Sequence, residues 1–452
     1  MLANLLLIEI IVILATGISI FFINQQIIRK KIIFLIIFSS LIVNTFSLFI
    51  ALFMNLQFYE FYLIIDGNIL LIVELILLGG LFYAIISKKN YKETINMPIH
   101  DGITLVILAG IIGIVSSSHI LILISWFGFV LILLGVNLFY MGIVKDFKNC
   151  IPYFLSIGIS IVVLYIFSII IFFDTGTIYI IEIISIGVSS ELNFVYIILI
   201  IIGFGIPCGI FPFGVFHLKK IFQDGSYYNL LFYFMINYSI NFSLFRSFQF
   251  FEFLPLGYGL IVTIISILGI ITFFYILLKE LFFSLEHQPF SLKRIMGYSI
   301  TGDFNNILML LSISLLIPDN IKEMYLDGLF LIFSFFILVK MVILFALHPI
   351  ILTYEDDPIV KERDRIYSKL IQYLLYIIGA IIAFPLSFYS FWILNEVLNV
   401  PEVQSNSAFT FLIMFIIVLQ LLYNIIALIT ISTINLESYN NKILKTEKKE
   451  SD

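Results

Sequence analysis

Apolar runs long enough to cross a hydrocarbon core of about 30 Å follow one another along nearly the whole chain, separated by short polar breaks. Backbone in lipid has no water to satisfy its N–H and C=O groups, so such runs are expected to be helices. The pattern predicts an all-α membrane protein of about 13–14 transmembrane helices. Thirteen can be delimited, at 3–24, 32–56, 69–87, 103–118, 119–144, 151–173, 194–216, 228–250, 256–281, 294–317, 328–350, 368–395 and 408–435. The pair covering 103–144 is punctuated only by Ser116, Ser117, Ser118 and His119. Composition agrees with this reading, since 62% hydrophobic and 12% charged residues cannot cover the surface of a water-soluble fold of 452 residues. The N-terminal run lacks a basic leader and a small-residue cleavage site, and is read as a retained first span.

Lys and Arg give an independent test of the span count, because short cytoplasmic loops collect them. Of the 24 basic residues, all but Lys322, Arg246 and Lys340 fall in alternate breaks, from Arg29, Lys30 and Lys31 at the first to Lys442, Lys445, Lys448 and Lys449 at the last. The expected topology is a multi-pass protein of the cell membrane with the N-terminus outside and the C-terminus cytoplasmic. Residues 436–452 form a mixed-charge cytoplasmic tail.

Arg246 and Lys340 fall inside spans, the first near the outer end of the eighth and the second in the middle of the eleventh. A buried ammonium costs at least ~3 kcal/mol at mid-bilayer, so Lys340 is a candidate for an ion path. Arg246 either snorkels, is paired structurally, or belongs to such a path. Glu74 is read as the only acid deep in the first three spans, with an ion-path role and a packing contact to a partner subunit as alternatives.

The seventh span crowds Gly203, Gly205, Pro207, Gly209 and Pro212 into ten positions, which predicts a discontinuous helix. The twelfth repeats the device with Gly379 and Pro385. Broken helices mark ion sites in transporters. Two of them five spans apart suggest two five-helix repeats, inverted because five is odd: 103–250 and 251–435, preceded by N-terminal helices in 1–102.

Between the ninth and tenth spans, Ser-Leu-Lys-Arg-Ile-Met-Gly-Tyr-Ser-Ile (291–300) resembles the lysine-arginine-leucine-leucine-alanine-tyrosine-serine-serine signature of the antiporter-like, proton-translocating membrane subunits. That family is shared by respiratory complex I, multisubunit cation/proton antiporters and energy-converting hydrogenases. Phe211-Pro212-Phe213, Leu244-Phe245-Arg246, Val339-Lys340 and Pro385-Leu386-Ser387 follow the expected order, over roughly residues 103 to 435. The resemblance implies a subunit that conducts protons or sodium ions while a peripheral redox module oxidises a donor, alongside other membrane subunits. It implies no cofactor and no redox centre in this chain. Family members use a glutamate in the fifth span, lysines in the seventh, eighth and eleventh, and a lysine or glutamate in the twelfth. Those positions correspond here to Phe127, Pro207, Asn237 or Tyr238, Lys340 and Phe391, so only Lys340 keeps the charge.

The first half-channel is therefore expected to be degenerate, with any remaining path running through Lys340, Asp303, Asn305, Asn306 and His348. Asp303 and Asn306 stand at a same-face helical spacing, and Asp303 reads equally as a structural partner for a cation. His348, beside Pro349, reads as either a proton relay or an interfacial residue. Lys293 and Arg294 suit anchoring or partner docking. Cys150 and Cys208 alone cannot build a disulfide framework, a Cys-rich zinc site or an iron–sulfur site. Metal-protease, phosphate-loop and hydrolase motifs are absent from the sequence, and nothing points to nucleic acid. Two further functions are weighed against an ion-translocating subunit: a non-conducting scaffold paralogue, and a stand-alone secondary transporter. An energy-converting hydrogenase is the favoured host among the complexes of this type.

Overall fold

The computed structural model describes residues 2–54, 58–60, 63–87, 97–140, 151–189, 191–209 and 227–251, with single positions between 264 and 342. The described elements are α1 (Leu2–Ile20), α2 (Gln26–Met54), β1 (Phe58–Glu60), β2 (Leu63–Ile65), α3 (Gly67–Ser87), α4 (Met97–Ser116), α5 (Ile120–Tyr140), α6 (Ile151–Thr175), α7 (Ile180–Ile186), α8 (Asn193–Cys208) and α9 (Tyr227–Phe248). Within α2 to α6, five segments are long and apolar enough to cross a membrane, and shorter apolar stretches lie in α1 and α8. This is a multi-pass membrane protein whose described residues are almost all helical.

α4 sits at the centre, with 94% of its spanning window buried. Small residues let its neighbours come close, as is usual where lipid offers no hydrophobic drive for helix association. A Cβ at Gly113 would lie 2.7 Å from Cε2 of Trp126 on α5, and one at Gly102 would collide with the ring of Phe21 just beyond α1. In the same way Ser160 of α6 donates to the carbonyl of Gly203 on α8, where the absent side chain also admits Leu164. Large apolar side chains on α1, α2 and α6, such as Ile11, Phe46 and Ile159, point outward to what the bilayer or a partner must cover.

Three features differ from the sequence reading. α2 begins at Gln26, so Arg29 and Lys30 lie in its first turns and are buried, where a loop was expected. The reason is a buried carboxylate, Asp101, that pairs with both. A two-stranded antiparallel hairpin, with Phe58 opposite Ile65, fills the break between α2 and α3. A short helix, α7, follows α6; its lead-in pairs with the α4–α5 junction through Ile120 N–H to the Ile178 carbonyl (3.1 Å) and Ile180 N–H to the Ser118 carbonyl (2.9 Å). That strap holds the junction at the serines, where 103–144 divides into two helices.

α8 ends at Cys208, one residue after Pro207. Gly209 adopts a left-handed conformation (φ 83°, ψ 28°), with its N–H on the carbonyls of Gly205 and Ile206. A residue without a Cβ takes this conformation at no steric cost, so the glycine and proline cluster stops the helix at its expected place. Pro212 and the remainder of the anticipated break lie outside the described residues, as do Pro385 and most of 251–435, the expected second repeat.

Candidate functional site: the polar face of α9 and its junction with Lys340

α9 is buried along its described side chains, yet it carries Asn237, Ser239, Asn241, Ser243, Arg246 and Ser247. The serines satisfy themselves by back-bonding one turn down the helix: Ser243 donates to the Ser239 carbonyl (2.9 Å) and Ser247 to the Ser243 carbonyl (2.8 Å). Asn237 and Asn241, four residues apart and so on one face, each keep a buried Oδ1 with no hydrogen-bond donor. An unmet buried acceptor costs about 1–3 kcal/mol, and ordered water is the usual remedy. A void of about 10 Å³ beside Ser243, Arg246 and Ser247 is close to the room one water requires.

Arg246 closes the polar face. Its Nη1 donates to the carbonyls of Val115 (3.2 Å) and Ser117 (2.9 Å) at the end of α4, so the guanidinium turns into the bundle and does not snorkel. Nη2 is buried and has no acceptor. Arg246 also borders a larger cavity of about 210 Å³ lined by Asp66, Asn68 and Gln249. Asp66 precedes α3 and caps it, accepting the Ile69 N–H at 2.7 Å. Burial pushes its carboxyl above the ordinary range, while the Ile69 N–H and the Arg246 charge act in the opposite direction.

Lys340 is helical and half-buried. Its segment meets α9 directly: the Tyr238 hydroxyl donates to the Phe333 carbonyl at 2.5 Å, and the two rings stack at 4.4 Å. Met341, next to Lys340, lies beside Gly79 of α3, which Met235 of α9 also approaches. α9, α3 and the helical turns bearing Lys340 thus converge. Asp303, Asn306, His348, Lys293 and Arg294 lie outside the described residues.

Three of the positions that the family resemblance associates with charge are described and hold uncharged groups, while Phe391 lies outside the described residues. Phe127 is fully buried, its ring 5.5 Å from that of Phe204 on α8. Pro207 offers only its carbonyl, to the Tyr233 hydroxyl at 3.4 Å. Asn237 donates to the Tyr233 carbonyl at 3.0 Å.

Glu74 is half-buried on α3 and accepts from Asn44 Nδ2 and Thr45 Oγ1 of α2, both at 2.7 Å. It is not the only acid deep in the first three helices. Glu9 of α1 is 6% exposed and was missed because it stands close to the chain start.

Sequence reasoning also missed a polar cluster at the opposite end of the bundle from Arg246. Asp101 of α4 accepts Arg29 Nε at 2.6 Å and Lys30 Nζ at 2.7 Å. The Tyr83 hydroxyl reaches the same carboxylate at 3.2 Å, and His100 Nδ1 meets Asn137 Oδ1 at 2.7 Å. His100 and Asp101 just ahead of the apolar run at 103 were the available signal. Among the described residues, no group of three His, Cys, Asp or Glu side chains is placed to hold a metal ion.

By sequence, no family model and no curated protein matches the chain. By structure it is similar to a chain of respiratory complex I from Thermus thermophilus, solved with bound aureothin: TM-score 0.64 and 12% identity, covering 99% of this chain and 98% of that one. It is similar also to a chain of the membrane-bound sulfane sulfur reductase, an archaeal respiratory membrane complex: TM-score 0.68 and 14% identity, over 99% and 94% of the two chains. Over its full length, this protein has the fold of membrane chains from large respiratory complexes.

Proposed function

We propose that the chain is an antiporter-like membrane subunit of a multisubunit energy-converting redox complex, of the hydrogenase or NADH–quinone oxidoreductase type. It contributes there to proton or sodium translocation, while a peripheral module carries out the redox chemistry. The observation that carries the reading is the convergence of Lys340 with α9, whose buried Asn237, Asn241 and Arg246 leave polar atoms for water to meet. Water held by such groups relays protons between titratable sites. Asp303, Asn306 and His348 complete the proposed path on the second half. Lys293 and Arg294 serve partner docking, and Pro207, Pro212 and Pro385 break the helices. The fold correspondence with respiratory membrane chains supports the membrane-subunit part of this reading.

Phe127 packed on Phe204, and Pro207 in place of a lysine, favour a second reading for the first half: a scaffold that conducts nothing. Replacing Lys340 by Ala in the assembled complex separates the two. Loss of proton or sodium pumping with assembly and redox turnover intact is the expected result. Unchanged pumping in a normally assembled complex leaves the scaffold reading.

A further inference from the structure

Where α3 begins and α9 ends, two opposite charges line one cavity of about 210 Å³ without touching. Arg246 stands in the last turn of α9, and Asp66 immediately ahead of α3. Each is held in place by other work. Nη1 of Arg246 is committed to the carbonyls of Val115 and Ser117 at the end of α4, while Asp66 Oδ1 caps α3 through the Ile69 N–H at 2.7 Å. Among the described residues, ion pairs form at Asp101, and none joins Arg246 to Asp66.

Arg246 is 6% exposed, and its Nη2 is buried with no acceptor. Water meets such an N–H but does not balance its charge, and a guanidinium withdrawn from solvent is costly unless an anion accompanies it. The cavity is also far larger than the roughly 10–15 Å³ that one water requires. Its lining suits the head of an amphiphile. Asn68 is exposed and Gln249 half-buried, so the mouth is polar. The walls are apolar: Phe245 and Phe330 stand with ring centroids 5.8 Å apart, and Ile184 of α7, 36% exposed, carries the apolar lining out to the surface of the chain. The spanning segment of α3 starts at Gly67, next to Asp66, which sets the cavity at the depth where lipid headgroups lie.

We propose that this cavity binds a phosphate ester carrying a primary ammonium, the headgroup of an aminophospholipid of the phosphatidylethanolamine type. The phosphate accepts from Nη2 of Arg246 and the ammonium donates to Asp66, so that each charge meets its opposite across the cavity. An inorganic anion answers Arg246 alone and leaves the carboxylate unbalanced. A metal cation answers Asp66 alone and leaves the guanidinium as it was. The acyl chains leave past Ile184 toward the bilayer. This inference concerns the end of α9 and does not rest on conduction through Lys340.

Native mass spectrometry of the full-length chain in detergent tests it, by titration with phosphatidylethanolamine, phosphatidylglycerol or phosphatidylcholine of the same acyl chains. One phosphatidylethanolamine is expected to bind about tenfold more tightly than either of the others, since a charge-assisted hydrogen bond is at stake in each comparison. Arg246→Gln weakens that binding by about tenfold or more. Asp66→Asn brings phosphatidylethanolamine and phosphatidylglycerol level, because the partner of the ammonium is gone. Equal affinity of the wild-type chain for the three lipids overturns the proposal, as does phosphatidylethanolamine binding that neither substitution changes. Phosphoethanolamine without acyl chains distinguishes the sources: failure to displace the lipid assigns the site to the bilayer, and displacement at comparable concentration assigns the same chemistry to a soluble amino-phosphate. Should Arg246→Gln fail to accumulate, Asp66→Asn, which keeps a capping oxygen, still decides the matter.

Discussion

Removing the carboxylate of Asp101 is expected to be the most damaging polar substitution in the described part of the chain. Asp101 is fully buried, and it holds Arg29 (1% exposed) at 2.6 Å and Lys30 (6% exposed) at 2.7 Å. Unit charges 4 Å apart attract by about 4 kcal/mol at an effective dielectric constant near 20, and most of that repays the desolvation of the ions. Asp101→Asn keeps the shape and removes the charge, leaving two cations side by side with no counter-ion. Arg29 then keeps the carbonyls of Ile23 (3.1 Å) and Asn24 (3.3 Å) and at best a neutral amide oxygen where the carboxylate stood. Stranding a buried charge in this way costs about 3–5 kcal/mol. Lys30→Met acts in the opposite sense on the charge balance: the group of two cations and one anion becomes a neutral pair, so a cost under about 1 kcal/mol is expected. Thermal unfolding in a fixed detergent, followed by tryptophan fluorescence, reads both. An Asp101→Asn protein as stable as wild type, or a Lys30→Met protein equally damaged, refutes the reasoning.

Gly113→Ala places a methyl 2.7 Å from the indole of Trp126, a rigid ring held between α4 and α5; a loss of about 1–3 kcal/mol in the same assay is expected. Asp66→Ala removes the acceptor for the Ile69 N–H and costs about 1 kcal/mol, whereas Asp66→Asn keeps a capping oxygen and loses only a charge. Because burial raises the Asp66 carboxyl, its ionised form is disfavoured on folding, and wild-type stability falls as pH rises from its unfolded value near 4 through the higher folded one. Asp66→Asn is expected to flatten that part of the stability profile; an unchanged profile removes Asp66 as its source.

The helices were legible because their signal is long: a run that must span lipid has only one backbone solution, and Pro207 with Gly209 marks a stop whatever surrounds it. Short-range pairing was not. The β1–β2 hairpin and the strap between 117–120 and 178–180 rest on backbone hydrogen bonds between segments that carry no periodic pattern. Charge was misplaced for a related reason. Arg29 and Lys30 look like loop residues until Asp101, 72 and 71 positions away, is brought beside them by folding. Lys340 could be singled out from its neighbours in the chain, but its meeting with α9 depends on Tyr238 and Phe333, 95 residues apart.

Enclosure of α4 bears on how the bundle is put together. A rod walled in by α1, α3, α5 and α9 cannot enter sideways from the bilayer once those walls have closed. During synthesis α4 emerges before α5 and α9, so His100 waits for Asn137 of α5, while the partners of Asp101 are made before it. Arg29, Lys30 and Tyr83, all already made, can shield the Asp101 carboxylate in the meantime, which gives the ion pairs a task in biogenesis before they have one in the finished structure.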